Sequence, residues 1–177
     1  NGVWYLIKGE PVYVTGPAYV FLNYWHTEAG PLPDFRMEAV AWFHIWDMVL
    51  RSSRCYGILD IKGRRVGDTE KALFCGWEIT TRYRKSWFGM QNTTEIDAWE
   101  NFNRVVMSNR AMVYFFKPTS FDTDMPKTIL EFKFPAQRAH GKDKKRIKYD
   151  LGIELDSKID FKATEVKKYD GKRLRFY

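Results

Sequence analysis

Between Phe35 and Arg51 the chain is apolar on nearly every side of the helix that its spacing demands. Ala39, Trp42, Phe43, Trp46, Val49 and Leu50 recur at three- and four-residue intervals and form one broad stripe. Val40, Ala41, Ile45 and Met48 make most of the remaining circumference apolar too, leaving Glu38, His44, Asp47 and Arg51 as polar exceptions. A helix of this kind must be covered on more than one side, by a sheet below and by a loop or a neighbouring molecule above. Asp34, after the Pro31 and Pro33 break, stands where an N-cap is expected.

Inside this helix, His44 and Asp47 lie three residues apart on one face and are within reach of each other. They are either the start of an acid/base or metal constellation or a structural pair on a core helix. No third ligand or nucleophile stands near them in sequence. His26 and His140, the other two histidines, have no metal-ligand spacing to His44 or to a cysteine. The structural pair is the expected outcome, with no metal, no cofactor and no enzyme activity implied.

Strands are expected around the helix. "VWYLIK" (Val3 to Lys8), "VYVT" (Val12 to Thr15) and "YVFLNYW" (Tyr19 to Trp25) are β-branched and aromatic runs between Gly/Pro punctuation. After the helix, "CYGILDIKG" (Cys55 to Gly63) reads as a further strand. "LFCGWEITTRYRKSW" alternates, with Leu73, Cys75, Trp77, Ile79 and Tyr83 on one face. "FNRVVMSNRAMVYFFKP" reads as a long strand or a hairpin turning at Ser108-Asn109. "KTILEFKF" puts Leu130, Phe132 and Phe134 inward, and "IKYDLGIEL" and "IDFKATEVKKY" supply two more runs. Asp170-Gly171 is a type I′ hairpin signal. The expected fold class is α+β: a mostly antiparallel sheet with one prominent buried helix at about 35–51, and room for further short helices. A chain of 177 residues with aromatics at 17% suits one well-buried core, a single globular domain over residues 1–177.

Charge is unevenly spread. Residues 1–141 carry 17 basic and 15 acidic side chains, whereas residues 142–177 carry 12 basic and 7 acidic, so most of the net +7 sits in the last fifth of the chain. Lys142, Lys144, Lys145, Arg146 and Lys148 form one dense group, and Lys167, Lys168, Lys172, Arg173 and Arg175 flank Asp170-Gly171. Such clusters suit a polyanion, whether nucleic acid, a nucleoprotein or an anionic membrane surface; the alternative is a solvated face that keeps the protein soluble.

Two cysteines, Cys55 and Cys75, cannot make a disulfide framework or a zinc knuckle, so a reducing setting is the simpler expectation, with a single bridge left open. No apolar run approaches the ~20 residues that span a bilayer, so any membrane contact is expected to be peripheral. The first residue is Asn, so a leader or arm ahead of it would lie outside this sequence. Asn92-Thr93-Thr94 is a formal glycosylation sequon. Among enzyme patterns, "LDIKG" (Asp60, Lys62) and "LEFKF" (Glu131, Lys133) each place an acid and a lysine two apart, the spacing of restriction-type metal-dependent nucleases. Any charged strand face produces that spacing. No phosphate loop, GxSxG elbow or HExxH helix occurs.

In element order the chain resembles the globular domain of a rhabdovirus matrix protein. That family's animal-virus members run from a long strand and a turn into a helix with a His-Trp-Asp signature, then a short basic turn and a strand. "YVFLNYWHTEAGPLPDFRMEAVAWFHIWDMVLRSSRCYGILDIKG" follows that order, with "HIWD" in the helix. "LFCGWEITTRYR" and "FNRVVMSNRAMVYFFKPTSFDTDMP" resemble the family's central strands and acidic turn, and "KDKKRIKYDLGIEL" and "KATEVKKYDGKRLRFY" its basic segment and closing strand pair. The likeness spans about 160 residues in order and length. It departs in the Ile inserted within "HIWD", in having no PPxY or PTAP motif, and in having no basic arm before Val3; a plant-infecting relative fits the missing motif.

The resemblance implies a viral structural protein of virion assembly that self-associates, condenses the helical nucleocapsid and bridges it to an anionic membrane. Its partners would be itself as a homo-oligomer, viral nucleoprotein-RNA, the membrane surface held peripherally, and possible direct nucleic acid. It would be found in the virion, the host cytoplasm and at the cytoplasmic face of membranes. The two basic groups would contact nucleocapsid or lipid, and Val3, Trp4, Tyr5 and Tyr13 would lie at the self-association interface. The alternative is a basic nucleic-acid-binding or capsid-like module.

Overall fold

The computed structural model describes residues 2–28, 30, 32–61, 67–118, 126–132 and 155–163. The chain divides into two compact units, Asn1–Ala72 and Leu73–Tyr177.

The first unit opens with a hairpin of β1 (Gly2–Ile7) and β2 (Glu10–Thr15), antiparallel, with Ile7 opposite Glu10. Lys8 and Gly9 close it with φ of 52° and 85°, the positive pair that a two-residue type I′ turn requires. Helix α1 (Gly16–Tyr24) follows at once, so the strand expected over Tyr19 to Trp25 is a helix instead. The cause is local: the Thr15 hydroxyl accepts from the Ala18 N–H at 3.4 Å, and Pro17 sits in the first turn, where its missing N–H costs nothing. Gly16-Pro17 is a helix start, not a turn.

Helix α2 (Met37–Arg51) stands where periodicity placed it. It buries Ala39, Val40, Phe43 and Trp46, and Phe43 meets Phe21 of α1 with ring centroids 5.2 Å apart. Its N-cap residue is Arg36, with no side-chain cap; Asp34, expected in that role, pairs with the Arg36 guanidinium at 3.6 Å. Trp42 and Trp46 stack at 5.9 Å, and the Lys71 ammonium lies 5.5 Å from the Trp42 ring centre. Trp25, fully buried, donates its indole N–H to Glu70 at 3.3 Å. Residues 55–61, expected as a strand, form none. They have the composition of a strand but no neighbouring strand to pair with among the described residues.

Helix α3 (Asp68–Arg82) begins in the first unit and supplies the first element of the second. It replaces the strand expected over Leu73 to Trp87. Leu73 to Thr80 are all buried, so the apparent alternation was a short sample of a helix covered on every side. Gly76 lets it approach β3 (Trp87–Asn92) closely: a Cβ there would run into the Phe88 ring. Two residues after β3 comes α4 (Glu95–Ala111), capped by Thr94, whose hydroxyl oxygen accepts from the Asp97 N–H at 3.1 Å while its proton goes to the Asp97 carboxylate at 2.7 Å.

Phe102 to Pro118 was expected to be strand or hairpin. It is the body of α4 followed by a short 3-10 turn, Tyr114–Phe116, and the supposed turn residues Ser108 and Asn109 are buried in the helix. Ala98, Phe102, Val105 and Val106 face inward, with Phe102 5.2 Å from the Phe161 ring.

Strands β4 (Ile129–Phe132) and β5 (Ser157–Ala163) complete a three-stranded sheet in the order β3-β5-β4, β5 running parallel to β3 and antiparallel to β4. Leu130 and Phe132 point inward as expected. The opposite face carries Trp87, whose indole N–H donates to Asp160 at 3.0 Å under a Lys158 ammonium 3.8 Å from its ring centre. The expected strand within "IKYDLGIEL" falls almost wholly outside the described residues, as does the Asp170-Gly171 hairpin.

The fold class is therefore α+β, with two of the three strand pairings among the described residues antiparallel. Helix is more abundant than expected, since α3 and α4, of 15 and 17 residues, match or exceed α2. Among the described residues no helix is long and apolar enough to cross a membrane. Neither cysteine forms a disulfide; Cys55 is exposed and Cys75 buried.

Candidate self-association surface

Among the described residues, the most exposed large apolar side chains that belong to a strand are carried by the N-terminal hairpin. Because directly opposed residues of an antiparallel pair share a face, Trp4 stands over Tyr13, with Leu6 beside it two residues along. Trp4 is 70% exposed and Leu6 78%. The Tyr13 ring supports Trp4 from below at 5.3 Å and leans on the His44 imidazole of α2 at 5.8 Å. His44 Nε2 also lies 3.1 Å from the Tyr13 carbonyl; a carbonyl only accepts, so this nitrogen carries the hydrogen.

That contact settles the role of His44. It ties α2 to β2 rather than pairing with Asp47, whose carboxylate takes the Arg51 guanidinium at 2.8 Å on the exposed side. The His44–Asp47 pair expected from spacing is not formed, because each side chain has a better-placed neighbour.

From His44 the apolar surface continues along α2. Met37, Ala41, Ile45 and Met48 lie on one face at helical spacing, opposite the buried Phe43 and Trp46, and all four are exposed. The helix is thus apolar on two faces as its sequence requires, and among the described residues only one of them is covered. On the other face of the hairpin, Tyr5 stacks on Tyr19 of α1 at 6.3 Å, and Tyr19 meets Tyr24 edge-on at 6.0 Å. The hydrogen bond with Tyr19 raises the Tyr24 phenol above the ordinary tyrosine value.

Of the four residues expected at an interface, Val3, Trp4 and Tyr5 are exposed and Tyr13 is half-buried. Trp4 and Tyr13 form one patch, whereas Val3 and Tyr5 look the other way, as strand alternation dictates. Leu6, Ile45 and Met48 were not singled out. The alternation of "WYL" would have coupled Leu6 to Trp4, and the second apolar stripe of α2 already pointed to the other two. The basic residues Lys142, Lys144, Lys145, Arg146, Lys148, Lys167, Lys168, Lys172 and Arg173 lie outside the described residues.

The nuclease spacing gains no geometry. Asp60 sits on no strand, Lys62 and Lys133 lie outside the described residues, and Glu131 stands opposite Lys158 on β5. Among the described residues no three His, Cys, Asp or Glu side chains converge. Comparison of the chain with protein-family models, with curated proteins and with solved structures gives no match.

Proposed function

We propose that this protein is a matrix-type viral structural protein that self-associates, condenses a nucleocapsid and bridges it to an anionic membrane surface. One observation carries the reading: the apolar surface that runs from Trp4 and Leu6 through Tyr13 and His44 to Ile45 and Met48, which nothing among the described residues of the first unit fully covers. A surface of this kind, largely apolar and aromatic, favours a protein partner over water. The basic excess of residues 142–177 supplies the complementary half of the role, since each Lys or Arg near an anionic bilayer contributes about 1 kcal/mol. No catalytic step and no cofactor belong to this reading. The sites of action would be the virion, the host cytoplasm and the cytoplasmic face of membranes.

Two measurements test it together. Sedimentation velocity from about 0.5 M down to about 0.05 M salt, where the Debye length grows from ~4 to ~14 Å, should show reversible assembly without nucleic acid. Flotation with anionic vesicles should be lost when Lys142, Lys144, Lys145 and Arg146 are changed to Ala, while the fold is retained. A chain that stays monomeric throughout, yet binds RNA with a steep salt slope and ignores vesicles, would be a nucleic-acid-binding or capsid-like module instead.

A further inference from the structure

The two-stranded hairpin of the first unit leaves two edges, and they are treated differently. The outer edge of β2 is met by α2, where His44 takes the Tyr13 carbonyl. In an antiparallel pair, opposed residues alternate between bonding each other and pointing away. A Tyr13 carbonyl engaged by His44 marks the Trp4–Tyr13 pair as pointing away, so Gly2, Trp4 and Leu6 offer their backbone groups along the outer edge of β1. Among the described residues no strand occupies that edge. An open, apolar edge is a template for another strand, and a lone two-stranded hairpin is marginal without a third.

The same unit holds a strand-like segment that pairs with nothing described. Residues 55–61, "CYGILDI", have strand composition, yet Tyr56 is fully exposed, Leu59 88% and Ile61 90%. Extended, seven residues span ~23 Å against ~20 Å for the six of β1. Period-two alternation puts Leu59 and Ile61 on one face and Tyr56 and Ile58 on the other. If Leu59 and Ile61 fall on the Trp4–Leu6 side, Tyr56 and Ile58 fall on the Val3–Tyr5 side, so one added strand would cover both exposed rows of β1. Within this chain the segment and the edge are not paired.

We propose that residues 55–61 of one copy add to the outer edge of β1 in a second copy as a third strand. The inference rests on the self-association reading and names its contact. Each copy brings one donor segment and one acceptor edge, so the contact is head-to-tail and propagates into a chain or a ring rather than closing as a two-fold dimer. A single strand addition is a small interface, and assembly through it is reversible and concentration-dependent.

The test is sedimentation velocity over a range of protein concentrations at about 0.5 M salt, where charge attraction is screened to within ~4 Å. Wild type should associate. Leu59→Pro, which removes a strand donor at an exposed position, should weaken association by about tenfold or more with the thermal midpoint unchanged. A peptide of residues 53–61 carrying Cys55→Ser, added in excess, should dissociate the wild-type chain. Wild type that associates only at low salt, Leu59→Pro that associates as wild type does, or a peptide without effect would each overturn the strand contact while leaving self-association by another surface standing. A chain monomeric at every concentration and salt would overturn both.

Discussion

Lys71 is a buried cation one turn into a helix, and its dependence on Asp68 can be measured. The Lys71 ammonium and the Asp68 carboxylate form an ion pair with side-chain exposures of 5% and 9%, and Trp42 lies against the ammonium. The two partners are not equivalent. Asp68 is the first residue of α3, where free backbone N–H groups and the positive end of the helix dipole favour a carboxylate by about 0.3–1 kcal/mol. Lys71 sits in the same field with the wrong sign, out of water, and relies on Asp68 and the Trp42 ring. Asp68→Asn should therefore cost about 3–5 kcal/mol, the range for stranding one member of a buried pair. At roughly 2–4 °C per kcal/mol for a chain of this size, the thermal midpoint should fall by about 6–20 °C.

Lys71→Met should cost about 1 kcal/mol, because it removes the buried cation and leaves Asp68 at a helix end that tolerates it. The double variant Asp68→Asn, Lys71→Met should return to within about 1 kcal/mol of wild type, a coupling of about 3 kcal/mol or more. Urea titration followed by circular dichroism reads all four proteins, with a constant slope required so that midpoints report stability alone. An Asp68→Asn variant destabilised by less than about 1 kcal/mol, or a double variant as unstable as the sum of the singles, would refute this assignment of roles.

Two further substitutions probe the second unit. Gly76→Ala should destabilise by about 1–3 kcal/mol because the new methyl meets the Phe88 ring, and Phe88→Leu on that background should recover part of the loss in the same titration. Asn109→Leu removes the acceptor that Trp77 uses at 2.9 Å in the core and should cost about 1–3 kcal/mol despite similar volume; a thermal midpoint within error of wild type would contradict the hydrogen bond.

Local chemistry was enough to read some elements and not others. Helix α2 was legible because eleven of its residues are apolar at helical spacing and no other conformation gathers them into faces. The hairpin strands β1 and β2 were legible because β-branched and aromatic runs are bracketed by Gly9 and by Gly16-Pro17. Helix α4 was also within reach: Thr94 followed three residues later by Asp97 is a capping pattern, and Ala98, Phe102, Val105 and Val106 recur at helical spacing. Helix α3 was not. Gly76, Ile79, Thr80 and Thr81 favour strand or disfavour helix, and burial on all sides erases the periodicity that would have identified it.

The candidate surface divides in the same way. By itself the sequence determined that α2 carries apolar side chains on two faces, that Trp4 and Leu6 share a strand face, and that cationic charge gathers in residues 142–177, since each follows from spacing or counting. Only the tertiary structure decided that His44 serves the Tyr13 carbonyl rather than Asp47 and that, among the described residues, one face of α2 stays uncovered and residues 55–61 find no strand beside them. Those outcomes depend on which distant segment arrives next to a given side chain, and strand pairing in particular is a property of two segments, so the composition of one alone cannot specify it.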